Sequence, residues 1–383
     1  MEYSESGFQI KDIMTRIDKL GEPEFRAPHY PPQKKRNKLT KISFCLFSAA
    51  MFPLLLAKSA MQKMTGRIIV PSQHRLKRLY LDQKRNKFLN EKMDPQYPMK
   101  RITIQAADKV KLDTAAILHP EESRKAPKEQ KWLVFFNGNN FAYERYLTVH
   151  QKLSKELGIN VYSGNYRGVG HSEKSPTRAN DLVLDGEAMV QYLLHQGVPP
   201  ENIILHGWSL GGGVATAVAA KYPNMKLVND RSFGTLKKGV KSVVPFFGTL
   251  ASHFTSILGW NLNSAKNWKK IEENNKAIII HKKDGVIAYK ASLYNTLKKS
   301  AMEKKDRLAK KVRKKLKAKK QPIDTHYTQT YKPTLTLRSR GLYDKDPHSI
   351  KLTKLDIYES YLNIVRYLLK INPQEQHPQK LVK

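Results

Sequence analysis

The chain has 383 residues with 69 Lys+Arg against 33 Asp+Glu, a formal charge of +36, and 40% of it is hydrophobic. That apolar content is enough to fill a core and excludes wholesale disorder, and the length suits one large domain with an appendage, or two domains. The single cysteine, Cys45, excludes an internal disulfide framework and a cysteine-based zinc site. The charge surplus points to an anionic partner, nucleic acid or an acidic membrane surface, without choosing between them.

Residues 1–97 read as an N-terminal extension, with the Pro-rich run RAPHYPP followed by the basic cluster KKRNKLTK and no visible packed core. The uncharged segment 42–57, Ile42 to Ala57, comes next, flanked by Lys38 and Lys41 on one side and Lys58 and Lys63 on the other. As a helix it covers roughly 24 Å, short of the roughly 30 Å hydrocarbon core, so it would span a bilayer only with snorkelling lysines or local thinning. The alternative is a buried or interfacial helix kinked at Pro53. The segment starts too far into the chain for a cleavable signal peptide, and basic charge on both flanks leaves its orientation open.

Residues 98–371 change character, with short apolar runs alternating with amphipathic stretches, and 372–383 form a tail. ITIQAAD and KLDTAAILH predict a β-hairpin; WLVFF (132–136), INVYS (159–163), NIILH (202–206), KLVND (226–230), AIIIH (277–281) and TLTLR (334–338) predict further strands. Helices are expected over 142–157, 179–196, 210–221 and 352–369. Strands apolar on both faces and separated by helices make an α/β fold, a mostly parallel sheet covered on both sides, with functional loops at the carboxyl ends of its strands. An insertion over 296–332 interrupts it. Its run 298–320 carries 13 basic and 2 acidic residues, with Leu308, Val312 and Leu316 spaced as a thin helical stripe. Such a run suits a solvated lysine-rich segment or a helix docked on an acidic membrane. It lacks aromatics that could stack on bases, which disfavours nucleic acid.

The chemistry is carried by NIILHGWSLGGGVATAVAAKY, where a strand meets a small-residue helix through Gly207-Trp208-Ser209-Leu210-Gly211. This is the strand-turn-helix setting of a G-x-S-x-G nucleophile elbow, whose glycines relieve a serine held on a strained turn. A serine hydroxyl needs an imidazole to take its proton and a carboxylate to orient that imidazole, here in the chain order serine, acid, histidine. Asp284 follows the strand ending at His281, and His348 lies between the last strand and the terminal helix. Asp230, at the tip of the strand after the elbow, is the main rival acid; Asp344 and Asp346 lie close to His348 in sequence. His253, His281 and His326 lack the position of His348. An oxyanion hole would be formed by the amide of Leu210 and that of Asn139, or failing that Asn140, in the loop Asn137-Gly138-Asn139-Asn140.

Together these segments resemble the α/β-hydrolase superfamily over roughly residues 100–370. FFNGNNFAYERY, NYRGVGHSE, DGEAMVQYLL and PENIILHGWSLGGGVA are similar to a branch of acyl-protein thioesterases and lipid esterases. GWSLGGGVA and NDRSF also resemble the chlamydial 43 kDa protein family and lipase-like translocated effectors of intracellular bacteria such as Legionella. Asn137 stands where the branch has His, and Asn165 where it has Asp. The resemblance implies a bacterial protein acting inside a host cell. The expectation is a membrane-associated serine hydrolase that cleaves lipid or acylated-protein esters through an acyl-Ser209 intermediate, with no metal or organic cofactor and no specified protein partner. The rivals are a soluble carboxylesterase or peptidase, and a non-catalytic scaffold that binds lipid or a partner.

Overall fold

The computed structural model describes residues 20–28, 52–244, 247–303, 307, 335–341 and 345–371. Nine strands form one sheet: β1 (Phe25–Arg26), β2 (Met99–Gln105), β3 (Lys111–Ile117), β4 (Trp132–Phe136), β5 (Asn160–Gly164), β6 (Ile203–Trp208), β7 (Lys226–Asp230), β8 (Lys276–His281) and β9 (Leu335–Ser339). Their order is β1-β2-β3-β5-β4-β6-β7-β8-β9. The β2–β3 hairpin is antiparallel and β3 runs antiparallel to β5, whereas every pair from β5 through β9 is parallel. Fully buried β-branched and aromatic strands such as WLVFF are what a sheet covered on both faces requires.

Side-chain alternation along β4 divides the interior. Val134 and Phe136 join a core that includes Leu182, Val214 and Val218, while Leu133 and Phe135 point to the opposite face with Leu153, Tyr361 and Val365. Helices α5 (Ala179–His195) and α6 (Leu210–Ala219) cover the first face, and α4 (Leu147–Leu157) and α10 (Tyr358–Leu368) the second. In the parallel register Phe136 pairs with Gly207 and Trp208 with Asp230, so the loops after β4, β6, β7 and β8 leave the sheet at one edge.

The N-terminal part departs from the sequence expectation. Helix α1 (Phe52–Ile69) continues well past Ala57, α2 (Ser72–Arg75) and α3 (Arg78–Glu91) follow, and residues 42–51 lie outside the described residues. No helix of the described residues is long and apolar enough to cross a membrane. Ile69, Val70 and Leu81 pack into the same core as the sheet, so a packed core does exist before residue 97. Sequence periodicity hides it because α3 buries a cation. Arg85 pairs with Asp82, lies 3.5 Å from Glu144 and donates to the Tyr143 hydroxyl. Of the basic run 298–320, only residues 298–303 and Arg307 are described.

Three more helices lie between β7 and β8: α7 (Leu236–Val243), α8 (Gly248–Ile257) and α9 (Ser264–Trp268).

Candidate active site

The turn after β6 is as tight as the glycine pattern implies. Ser209 sits at φ 55°, ψ −118°, a conformation that costs a non-glycine residue of order 1–3 kcal/mol. A side chain at Gly207 would lie 2.3 Å from the Gly211 carbonyl oxygen, and one at Gly211 would lie 2.1 Å from that of Phe136. The strained serine is fixed by its own backbone: its amide donates to the Asp230 carbonyl at 2.9 Å, and its carbonyl accepts from Gly212 at 3.0 Å.

His348 and Asp284 meet this serine across long sequence separations. His348 Nε2 lies 2.8 Å from Ser209 Oγ, and His348 Nδ1 lies 2.8 Å from Asp284 Oδ2. The other carboxylate oxygen of Asp284 accepts the amides of Val286 and Ile287 at 3.0 and 2.7 Å, so the carboxylate is held from both sides. All three side chains are buried. The arrangement can pass a proton from Ser209 to His348 while Asp284 keeps Nδ1 protonated.

The rival acids do other work. Asp230 is fully buried, and burial pushes its carboxyl upward, yet Arg231 and His206 outweigh that and hold it well below the usual carboxylate range. Arg231 Nε donates to Asp230 Oδ1 at 2.7 Å. From there its guanidinium donates to the carbonyls of Pro347 and Ile350 at 2.6 and 2.8 Å, bracketing His348. The line continues behind Asp230 to His206 Nε2 at 3.3 Å, whose Nδ1 lies 2.9 Å from the Tyr361 hydroxyl. Asp346 accepts the amides of His348 and Gly285 at 2.8 and 3.2 Å, tying the two loops together. Asp344 and His326 lie outside the described residues. His281 is directed toward the Gly341 carbonyl, and His253 toward the Thr249 carbonyl of its own helix.

Gly138 brings the loop after β4 against the serine: a side chain there would lie 2.9 Å from the Trp208 ring and 3.5 Å from Ser209 Cβ. The amides of Leu210 and Asn139 have no hydrogen-bond partner among the described residues. The Asn139 carbonyl accepts from Ser72 Oγ at 3.1 Å. Asn137 donates to the Gly164 carbonyl at 3.0 Å and Asn165 to the Glu144 carboxylate at 3.1 Å, so both support the loops. An amide at 165 suits its neighbour, because a carboxylate there would face buried Glu144.

Sequence reading missed Arg231 and Ser72, and weighed Asp346 only as a rival acid. NDRSF contained the signal for Arg231, an acid-base pair at the tip of an apolar strand where a free cation could not be buried alone.

An elbow serine, a histidine and a carboxylate at the carboxyl edge of a parallel-cored sheet define an α/β hydrolase, the class to which the fold belongs. Within that class the chain belongs to the family described as Chlamydia CHLPS protein (DUF818), whose model matches residues 42–336. It is 29% identical to protein bem46 of Schizosaccharomyces pombe over 174 residues, 45% of this chain and 56% of that one. It is 30% identical to a phosphatidylserine lipase of Bos taurus over 149 residues, 38% of this chain and 25% of the lipase. The chain thus spans about half or less of these relatives. A solved α/β hydrolase from Vibrio vulnificus superposes with a TM-score of 0.46 at 17% identity, covering 72% of this chain and 86% of that one.

Proposed function

We propose that this α/β hydrolase cleaves acyl esters of a lipid or a lipid-modified protein at a membrane surface. The hydrogen-bond line from Ser209 through His348 to Asp284 carries the reading. Ser209 Oγ attacks the ester carbonyl as His348 Nε2 takes its proton, and the amides of Leu210 and Asn139 receive the oxyanion. Collapse breaks the bond to the leaving alcohol, which departs with the proton from His348 and leaves acyl-Ser209. Water activated by the same imidazole then releases the acid and restores the serine. Side chains and backbone amides supply every step, so the mechanism calls for no cofactor. Similarity to a phosphatidylserine lipase supports a lipid substrate.

The test is hydrolysis of a p-nitrophenyl ester series from acetate to palmitate by wild type and Ser209→Ala. Turnover that rises with chain length and vanishes in the variant is the expected result; serine-independent turnover, or none, overturns the reading.

A further inference from the structure

Helix α8 is turned inside out. Its buried face consists of Gly248, Ser252 and Thr255, while Leu250, Phe254 and Ile257, together with Phe247 just before it, face solvent. Positions 247, 250, 254 and 257 fall on one helical face, the spacing that ordinarily packs against a core. Here Phe247, Leu250 and Ile257 are each at least 70% exposed. The inward hydroxyls are satisfied by carbonyls of the same helix, Ser252 on Thr249 and Thr255 on Ser252.

Helix α1 buries Thr65, Gly66 and Ile69 but leaves Met64 and Ile68 exposed. The helices meet where Gln62 donates to the Leu258 carbonyl at 2.9 Å. Segments next to them in the chain reach the loops of the candidate site. Beyond α1, Ser72 holds the Asn139 carbonyl, and in α7 Ser242 donates to the carbonyl of Val286, whose amide is bonded to Asp284.

Charge identifies the occupant. The sequences of α1, α7 and α8 contain no carboxylate, and Lys58, Lys63 and Arg67 on α1 and Lys237 and Lys241 on α7 are exposed. Arg67 also lines a pocket of about 600 Å³, with His74, Lys77, Arg78 and Lys174 and no carboxylate in its wall. Exposed apolar side chains on helices whose only charged residues are cations match a bilayer that presents anionic headgroups above acyl chains. We propose that α1, α7 and α8 form one docking face for an anionic phospholipid bilayer. Its consequence for turnover rests on the ester-hydrolase reading; binding itself does not.

The experiment is co-sedimentation of the full chain with vesicles of phosphatidylcholine, with and without phosphatidylserine. It compares wild type, Leu250→Ser/Ile257→Ser, Lys237→Gln/Lys241→Gln and Ser209→Ala, with thermal unfolding checking each fold. Wild type and Ser209→Ala are expected to sediment equally with the anionic vesicles. The serine pair, which leaves the charge unchanged, is expected to need about tenfold more lipid or more, and the glutamine pair to lose the preference for phosphatidylserine. Three results overturn the proposal: no sedimentation of wild type, wild-type sedimentation of the folded serine pair, or an oligomer that this pair dissociates without changing vesicle binding. Wild-type binding lost in the serine pair, together with no ester turnover by wild type, keeps the docking face and overturns the hydrolase reading.

Discussion

Helices α6 and α8 are each ten residues long, yet they use their side chains in opposite ways. Every residue of α6 is buried: the nucleophile turn needs a helix of small residues wedged between strands, and Val214 and Val218 fill the core behind it. Helix α8 buries its small polar residues and presents its large apolar ones. The first helix belongs to a region that is complete within the chain, where buried charges are paired and glycines exist because backbone passes close by. The second is finished only against something outside the chain. The Ser209 region should therefore be sensitive to substitution in folding and chemistry alike, and the α8 face should be silent in folding.

The largest effect is expected at the nucleophile itself. Ser209→Ala should lower ester turnover by about 10⁴-fold or more, and His348→Ala by a similar amount, with the double variant hardly worse than either single one. Steady-state kinetics on a soluble acetate ester checks this, and additive losses would break the picture of one connected unit.

Next comes Arg231, whose substitution by methionine leaves Asp230 buried without its cation and the His348 loop without its anchor. Removing one partner of such a buried pair costs about 3–5 kcal/mol. Arg231→Met should show this in urea unfolding, and adding Asp230→Asn should recover part of the stability while kcat stays reduced. Full recovery of kcat would mean the guanidinium does not position His348.

A smaller effect is expected with pH. Burial, helped by the nearby His206 and Lys351, lowers the His150 pKa to about 3, and its Nδ1 lies 3.2 Å from Ser163 Oγ. In the unfolded chain a histidine takes up a proton near pH 6.5, so between there and about pH 3 the unfolded state binds one more proton than the native state. Stability from this group is complete above about pH 6.5 and falls below it, by up to about 1.4 kcal/mol per pH unit. Urea midpoints should decline accordingly between about pH 6.5 and pH 5, and His150→Asn should flatten the slope.

What the sequence made legible follows the same division. Gly207 and Gly211 announced the elbow because only glycine tolerates those backbone approaches, and β6, β7 and β8 could be read from uninterrupted apolar runs, although β6 runs on to Trp208 rather than stopping at His206. Asp284 and His348 could be picked out by their place after strands, and the structure brings both to Ser209. The Asp230-Arg231 pair was legible as a buried ion pair, but its grip on the His348 loop was not, because those carbonyls lie more than a hundred residues away and no local pattern encodes them. The core under α1 and α3 was illegible for a related reason: besides Asp82 in its own helix, Arg85 is neutralised by Asp113, which comes from β3. In α8 the apolar period was present, but periodicity shows that a helix has an apolar face and not which way it points.

That ambiguity makes the smallest expected effect the sharpest test of the comparison. Val218 in α6 and Leu250 in α8 are both apolar helical residues, the first 0% and the second 70% exposed. Val218→Ala removes buried methyl groups from a packed site and should cost about 2 kcal/mol in urea unfolding. Leu250→Ser replaces a side chain that the fold leaves in water, so its cost should stay within about 0.5 kcal/mol. Serine has a somewhat lower helix propensity than leucine, and that difference of a few tenths of a kcal/mol sets the floor of what is measurable. A loss near that of Val218→Ala would mean that Leu250 is buried within the folded chain, and the contrast between the two helices would collapse. A loss near the floor leaves the apolar face of α8 without a role in folding, as expected of a surface whose partner lies outside the chain.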